Sequence, residues 1–245
     1  GSVLAKTYPK GIFAGPGDQL EWMLTAIYRN VPQAHPGLLK SDNPGADAVK
    51  MAVSGALGLR VDYFALVNLK GFEKVIDALG GITINVNERV AIGGEATAHL
   101  KPWGYIERGP SQHMDGWTAL WFARGRYGAS DWDRMLRQRC VIKAIIDQAD
   151  PPHVLTRYEA IAQSSKDVIY TDIPAEILPN LVDLALKVKQ GTVTNIAFTL
   201  DVINVNHPDY KKIHAMVQSA LNASVSNTKA PTATDSLDTV CAYHK

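Results

Sequence analysis

The sequence has little of several things that would define a function at once. Among its 245 residues are only two cysteines, Cys140 and Cys241, and neither belongs to a Cys-x-x-Cys pair or a His/Cys ligand pattern. This distribution argues against structural zinc. The two thiols either form one disulfide, as in exported proteins, or remain a buried thiol and a tail thiol, and the sequence leaves both open.

Long apolar runs and a strong net charge are missing too. No stretch is long and apolar enough to span a bilayer, and the formal net charge is only +1. Such a charge gives no global attraction for nucleic acid or an anionic membrane surface. The sequence also has no phosphate-binding loop of the Walker type, no GxSxG elbow, no HExxH and no kinase motif set. These absences exclude the corresponding nucleotide, hydrolase and protease classes.

The residues that are present predict a globular α/β domain. The composition is 46% hydrophobic, which is enough for a substantial core. Residues 61–67 and 82–86 have strand patterns, whereas residues 115–122 and 131–148 have helical ones. Strands mixed with helices in this way indicate helices packed on a sheet.

Two segments break the pattern. Residues 92–110 are rich in glycine and aromatic side chains without a sustained period, which predicts a long surface loop. Residues 223–245 are largely Ser, Thr, Ala, Asn and Asp, which predicts a flexible polar tail after a domain of residues 1–222.

Charged residues concentrate in one place, at Arg124, Arg126, Asp131, Arg134, Arg137, Gln138 and Arg139. On a helix of 3.6 residues per turn, Asp131, Arg134 and Gln138 fall on one stripe with the apolar residues Val141, Ile142 and Ile145. We therefore expect the stripe to face the interior along its whole length. Buried arginines suit a multiply charged phosphate, because guanidinium groups donate paired hydrogen bonds and stay charged.

A plainer interpretation has equal weight on the residues alone. Arginine and aspartate three apart on a helix often form a surface pair worth only a fraction of a kcal/mol, or about 0.5 kcal/mol. A set of nearby aromatic residues could stack on sugars, although core packing is the favoured use for them. This aromatic set consists of Trp103, Tyr105, Trp117 and Trp121.

Three further sequence segments precede the charged residues and form a recognisable pattern with them. The sequence reads VDYFALV at 61–67, GFEKVIDALGGI at 71–82 and MDGWTAL at 114–120. Together with the arginines, these segments resemble the LytR–CpsA–Psr (LCP) family, and the likeness extends to about residue 199. The family's RxR motif and its D-x-x-R-x-x-R-Q block are matched by Arg124, Arg126, Asp131, Arg134, Arg137 and Gln138.

The resemblance implies a fold, an activity and a location. It implies a three-layer α-β-α sandwich with a mixed central sheet. It implies transfer of a phospho-glycopolymer from a polyprenyl-pyrophosphate carrier to peptidoglycan, with the lipid held in an apolar cavity. It further implies an extracytoplasmic protein anchored in the cell membrane by an N-terminal helix.

The resemblance also assigns roles. Arg124, Arg126 and Arg134 would bind and neutralise the phosphates, Gln138 would donate to a phosphate oxygen, and Asp131 would orient an arginine. Arg137 would join the substrate-binding set.

Family members hold Mg²⁺ (or Mn²⁺) through aspartates that would lie upstream of the first residue here. We therefore expect a fragment that lacks those ligands and some N-terminal strands, and that is inactive as it stands.

Two other functions compete with the phosphotransferase. A non-catalytic module would hold polyprenyl-pyrophosphate lipid or wall polymer without turning it over. A nucleic-acid binder would use the same arginines, but the net charge of +1 and the inward direction expected for the arginines disfavour it.

Overall fold

The computed structural model describes residues 24–95, 98–150, 169–190 and 208–226, with residues 196, 198, 203, 204 and 237–244. Within them the helices are α1 Leu24–Ala34, α2 Pro44–Leu57, α3 Leu69–Ala78, α4 Gly116–Arg124, α5 Asp131–Gln148, α6 Leu178–Gln190, α7 Tyr210–Ser226 and α8 Leu237–Val240. The strands are β1 Ala65–Val67, β2 Ile82–Val86, β3 Val90–Ile92, β4 Gly104–Ile106, β5 Gly109–Met114 and β6 Ile169–Thr171. No described helix is both long and apolar enough to cross a membrane.

The mixture of helices and strands confirms the α/β class. The described strands pair two by two, β1 with β6, β2 with β5, and β3 with β4, and the last two pairs are antiparallel. The prediction of a long surface loop over residues 92–110 is wrong, because β4 and the start of β5 lie within that segment. Both elements are too short, at three and six residues, for alternation to reveal them in a glycine-rich segment.

The described residues pack as two compact units. One takes its residues from Gly1–Leu66, Thr171–Ile173 and Ile196–Thr234. The other takes them from Val67–Tyr170, Pro174–Asn195 and Asp235–Lys245. The expected domain end at residue 222 stays a prediction, and the helix and strand expected at 153–164 and 193–199 lie wholly or largely outside the described residues.

The first unit is helical, with α1, α2 and α7. Asn43 caps α2 by accepting from the backbone N–H of Ala46 at 3.1 Å, and Gly58 ends the helix in the left-handed region. Gly58 also makes room for α7, since a Cβ there would lie 2.8 Å from the His214 ring. Small side chains at Ala48 and Ala52 bury against Ile27 of α1 and its neighbours.

The second unit contains a core of aliphatic side chains from β2 to β5. Ile82, Ile84 and Val86 point inward from β2, and they alternate with more exposed residues. Phe122 of α4 and Val141 of α5 cover this core from the helical side. Burying several such side chains contributes about 1.5–3 kcal/mol each, which makes this core the main stabilising element of the unit.

A close approach of α3 to α4 explains part of the sequence pattern. The Asp77 carboxylate accepts the backbone N–H of Gly116 at 2.7 Å, and Asp115 caps α4 through the N–H of Thr118. A Cβ at Gly116 would lie 2.1 Å from the Glu73 carbonyl oxygen, so only glycine fits. These contacts fix the start of the helix whose other end carries Arg124.

The end of the chain is fixed rather than flexible where the structure describes it. Cys140 and Cys241 form a disulfide, which settles the alternative left open by the sequence. Asn85 donates to the Cys241 carbonyl at 3.0 Å, and Asn87 donates to the Ala242 carbonyl at 2.8 Å. The expectation of a flexible tail therefore fails for residues 237–244, because a covalent bond and side-chain amides of unit two hold them. Residues 227–236 lie outside the described residues.

Candidate anion-binding site

The Arg-Gly-Arg turn at the end of α4 is positioned by its central glycine. Gly125 is buried while Arg124 and Arg126 on either side are exposed. A Cβ at Gly125 would lie 2.6 Å from Cγ1 of Val90 and 2.7 Å from the Ala91 carbonyl oxygen, both on β3. The glycine therefore lets the turn touch the strand, and the two flanking arginines project outward.

The start of α5 is fixed by a reciprocal cap. The Ser130 hydroxyl accepts the backbone N–H of Asp133 at 3.2 Å, and the Asp133 carboxylate accepts the backbone N–H of Ser130 at 2.7 Å. Hydrogen bonds from the Ser130 hydroxyl and then its backbone hold the pKa of Asp133 below its ordinary value. The cap places Asp131 and Arg134 on the first turn of the helix, facing Arg126.

Arg126 and Arg134 converge on one carboxylate oxygen. Oδ1 of Asp131 forms ion pairs with Nη2 of Arg126 at 2.9 Å and with Nη1 of Arg134 at 3.1 Å. The side chains of Arg126 and Asp131 are 64% and 57% exposed, and that of Arg134 is 27% exposed. Two cations share one anion, so the group keeps a net positive charge and guanidinium N–H groups that this carboxylate does not engage. We call these residues, with Arg124, the arginine cluster.

Arg124, two residues before Arg126 in the chain, lies against an aromatic ring. Its Cζ lies 5.3 Å from the centroid of the Trp121 ring, one helical turn back on α4. A guanidinium that rests on an indole keeps its in-plane N–H donors available to a ligand. The arginine cluster thus offers guanidinium groups from the end of α4, the following turn and the start of α5.

Arg137 and Gln138 make a different set of contacts, which we call the α4–α5 clasp. Nε of Arg137 donates to the Phe122 carbonyl at 2.8 Å, its Nη2 donates to the Gly125 carbonyl, and Nε2 of Gln138 donates to the Ala123 carbonyl at 3.3 Å. The last carbonyls of a helix lack partners within the helix, and the clasp satisfies three in this region. Burial lowers the pKa of the Arg137 guanidinium from its ordinary value.

The expected stripe on α5 is corrected in one respect. Asp131 and Gln138 are exposed rather than directed inward, and Ile142 is 55% exposed. The packed face runs instead through Arg137, Cys140, Val141 and Ala144, at helical spacings of three, four and seven. The predicted stripe included Ile142 as a core residue because the side chain is hydrophobic. The inward-facing side of the helix was therefore assigned to the wrong residues. The roles assigned to Arg124, Arg126, Asp131, Arg134, Arg137 and Gln138 stay predictions.

Three of the four aromatic residues named from the sequence depart from expectation, whereas Trp121 packs against the core as expected. Core packing was the favoured use, but Trp103 is 66% exposed, Trp117 is 42% exposed and Tyr105 is 40% exposed. Trp103 lies just before β4, Tyr105 lies on β4 and Trp117 lies on the outer face of α4. The sequence alone gave no sign of this, because large aromatic side chains such as tryptophan are on average mostly buried.

The described residues do not form a metal site. No group of three or more His, Cys, Asp or Glu side chains in that part of the chain is arranged to hold an ion. The carboxylate of the arginine cluster, Asp131, is already paired with two guanidinium groups. The Mg²⁺ or Mn²⁺ implied by the resemblance finds no ligand set among the described residues.

Comparison with known proteins gives consistent matches. Residues 15–230 match the model of the LytR_cpsA_psr family. The chain is 24% identical over 187 residues to the polyisoprenyl-teichoic acid–peptidoglycan teichoic acid transferase TagU of Enterococcus faecalis, covering 73% of this chain and 57% of that protein. It is 30% identical over 153 residues to the probable cell wall biosynthesis protein LcpB of Corynebacterium glutamicum, covering 61% of this chain and 35% of that protein.

The chain therefore spans about a third to three fifths of these two relatives. Among solved structures, B. subtilis TagV superposes with a TM-score of 0.48 at 21% identity, covering 72% of this chain and 70% of that one.

Proposed function

Because the chain belongs to the LytR–CpsA–Psr family, we propose that the whole protein transfers a phospho-glycopolymer from a polyprenyl-pyrophosphate carrier to peptidoglycan. The observation that carries this proposal is the convergence of Arg126 and Arg134 on Oδ1 of Asp131. The name of the E. faecalis relative, a teichoic acid transferase acting on peptidoglycan, supports the substrate class.

The geometry suits binding of a pyrophosphate. Asp131 holds the two guanidinium groups close together and neutralises one of their two charges, which limits their mutual repulsion. The remaining N–H donors can grip phosphate oxygens in pairs. Arg124 adds a third guanidinium, and Gln138 adds the second N–H of an amide whose first N–H donates to the Ala123 carbonyl.

In the reaction, an acceptor hydroxyl attacks the phosphorus that carries the glycan. The new P–O bond replaces the bond to the bridging oxygen, the hydroxyl proton is lost, and polyprenyl phosphate leaves with the bridging oxygen. Negative charge moves onto that oxygen as the bond breaks, and the arginine cluster stabilises it. Mg²⁺ would supply further charge neutralisation in the whole protein.

The location proposed is extracytoplasmic, with a membrane anchor in the whole protein. The Cys140–Cys241 disulfide supports this, because disulfides persist in oxidising compartments and are rare in the cytosol.

The experiment that tests the proposal uses the full-length protein. Native mass spectrometry is expected to show co-purifying polyprenyl phosphate or pyrophosphate, lost in Arg126→Ala and Arg134→Ala but kept in the control Arg60→Ala. Arg60 is a matched control because its side chain is 87% exposed and forms a local ion pair with Asp62.

Turnover separates the two candidate functions. With a polyprenyl-pyrophosphate-linked saccharide, peptidoglycan and Mg²⁺, the proposal expects saccharide attached to the wall polymer and released polyprenyl phosphate. Retention of the lipid-linked saccharide without product would instead indicate a non-catalytic binding module.

A further inference from the structure

Three tryptophans of the second unit form one cluster, which we call the tryptophan platform: Trp103, Trp117 and Trp121. Trp121 packs against the core at its base, and the other two are exposed. The ring centroids lie 5.7 Å apart for Trp103 and Trp117, 5.7 Å for Trp103 and Trp121, and 6.4 Å for Trp117 and Trp121. Trp103 and Trp117 leave 66% and 42% of their surface exposed to solvent. Grouped aromatic side chains at the surface mark a binding site more often than isolated ones do.

The platform is held in place by features of the backbone. The N–H of Trp103 donates to the Ile92 carbonyl at 3.1 Å, which ties the start of β4 to the end of β3. Gly93 has a φ of +72°, and a Cβ there would lie 2.0 Å from Nε1 of Trp103, so the indole rests directly on the glycine. Trp117 and Trp121 stand four residues apart on α4 and therefore share a face of the helix.

The platform is continuous with the arginine cluster. Cζ of Arg124 lies 5.3 Å from the Trp121 ring centroid, and only the buried Gly125 separates Arg124 from Arg126 in the chain. A ligand whose phosphates bind Arg126 and Arg134 would meet indole rings on the α4 side.

Resting on the proposed function, we infer that the tryptophan platform binds the saccharide attached to the pyrophosphate of the carrier lipid. A pyranose ring presents a face of C–H groups that packs on the negative face of an indole, while its hydroxyls bond to N–H donors such as those of Arg124. A bare isoprenoid chain would instead bind best in a pocket whose apolar walls enclose it. Side chains as exposed as Trp103 and Trp117 do not form such walls. The platform thereby selects the sugar end of the substrate.

The first experiment measures binding of a phosphate-free saccharide to the tryptophan platform. The indole N–H signals of ¹⁵N-labelled full-length protein are followed while a β-1,4-linked N-acetylglucosamine dimer is added. The Trp103 and Trp117 signals are expected to shift saturably. The signal of Trp132, a half-buried residue at the start of α5 and outside the platform, is expected to stay in place. Trp103→Ala and Trp117→Ala are each expected to weaken dimer binding by about 5-fold, within the range measured for aromatic contacts. Tyr170→Ala, an aromatic residue 50% exposed outside the platform, is the matched control and is expected to change nothing.

The second experiment links the platform to the phosphate site. Farnesyl pyrophosphate and farnesyl-pyrophosphoryl-N-acetylglucosamine are titrated calorimetrically. The sugar-bearing probe is expected to bind about 5-fold more tightly, and Trp103→Ala to abolish that advantage while farnesyl pyrophosphate keeps its affinity within about 2-fold.

The outcomes separate the two proposals. No shift by the dimer and no gain from the sugar would overturn the platform, whatever the lipid probes show. Shifts produced by phosphatidylglycerol vesicles and not by the dimer would also overturn it and assign the rings to a membrane surface. Binding of the dimer without binding of either lipid probe would support the platform and contradict the proposed function.

Discussion

Arg134 and Arg137 lie one turn apart on α5, yet the structure uses them in opposite ways. Arg134 pairs with the exposed carboxylate of Asp131 and belongs to a group with spare positive charge. Arg137 is half-buried and donates to backbone carbonyls of Phe122 and Gly125. The comparison teaches that a run of arginines is not one site: the arginine cluster faces outward for a ligand, and the α4–α5 clasp holds the elements that present it.

The largest expected effect is on binding at the arginine cluster. The double substitution Arg126→Gln/Arg134→Gln removes two charged donors worth about 1.5–3 kcal/mol each, so farnesyl pyrophosphate affinity should fall by about 10²–10⁴-fold. The free energy of unfolding should change by only about 0–1 kcal/mol, since exposed ion pairs contribute little. Calorimetric titration and denaturant unfolding measure the two quantities. An affinity loss below about tenfold would remove the cluster from the binding site.

The disulfide should matter for stability and not for binding. It closes a loop of 101 residues between Cys140 and Cys241, so Cys140→Ser/Cys241→Ser should lower the free energy of unfolding by about 2–5 kcal/mol. Guanidinium chloride unfolding measures this change, and dithiothreitol treatment of the wild type should reproduce it. An unfolding midpoint that is the same with and without dithiothreitol would contradict the Cys140–Cys241 disulfide.

The clasp should show a smaller effect on stability. Arg137→Lys keeps the charge, but a lysine ammonium lacks the planar fork of N–H donors with which Arg137 bonds to two carbonyls. The free energy of unfolding should therefore fall by about 1–3 kcal/mol. Arg60→Lys, at a side chain 87% exposed, is the matched control. Equal stability of the two variants would show that charge alone, and not the carbonyl contacts, explains Arg137.

The smallest expected effect is pH-dependent and comes from the cap of α5. The pKa of Asp133 lies below its ordinary value in the folded protein, so its charged form stabilises the fold above about pH 4, and this contribution is lost as the pH falls through the folded pKa. Asp133→Asn should cost about 1 kcal/mol at pH 6 and progressively less below pH 4. Asp150→Asn, beyond the other end of α5, is the control. A cost that does not change with pH would point to lost packing instead of charge.

The sequence predicted some elements to the residue and missed others for physical reasons. The bounds of α5 and β2 were predicted correctly because helical periodicity runs through α5 and apolar and polar residues alternate strictly in β2. The orientation of α5 was not, because Ile142 and Val141 are equally apolar and only packing against α4 distinguishes them. The antiparallel pairing of β3 with β4, and the exposed Trp103 that follows from it, depend on contacts between short segments whose alternation is too brief to detect.

The most direct test of the central claim substitutes the same amide for two arginines of one helix, Arg134→Gln and Arg137→Gln, and measures farnesyl pyrophosphate affinity and unfolding free energy for each. The account predicts a crossed result. Arg134→Gln should weaken binding by about 10-fold to 100-fold with nearly unchanged stability. Arg137→Gln should lower stability by about 1–3 kcal/mol with the smaller change in affinity. If Arg137→Gln weakened binding as much as Arg134→Gln while leaving stability unchanged, the division between ligand-facing cluster and structural clasp would be wrong.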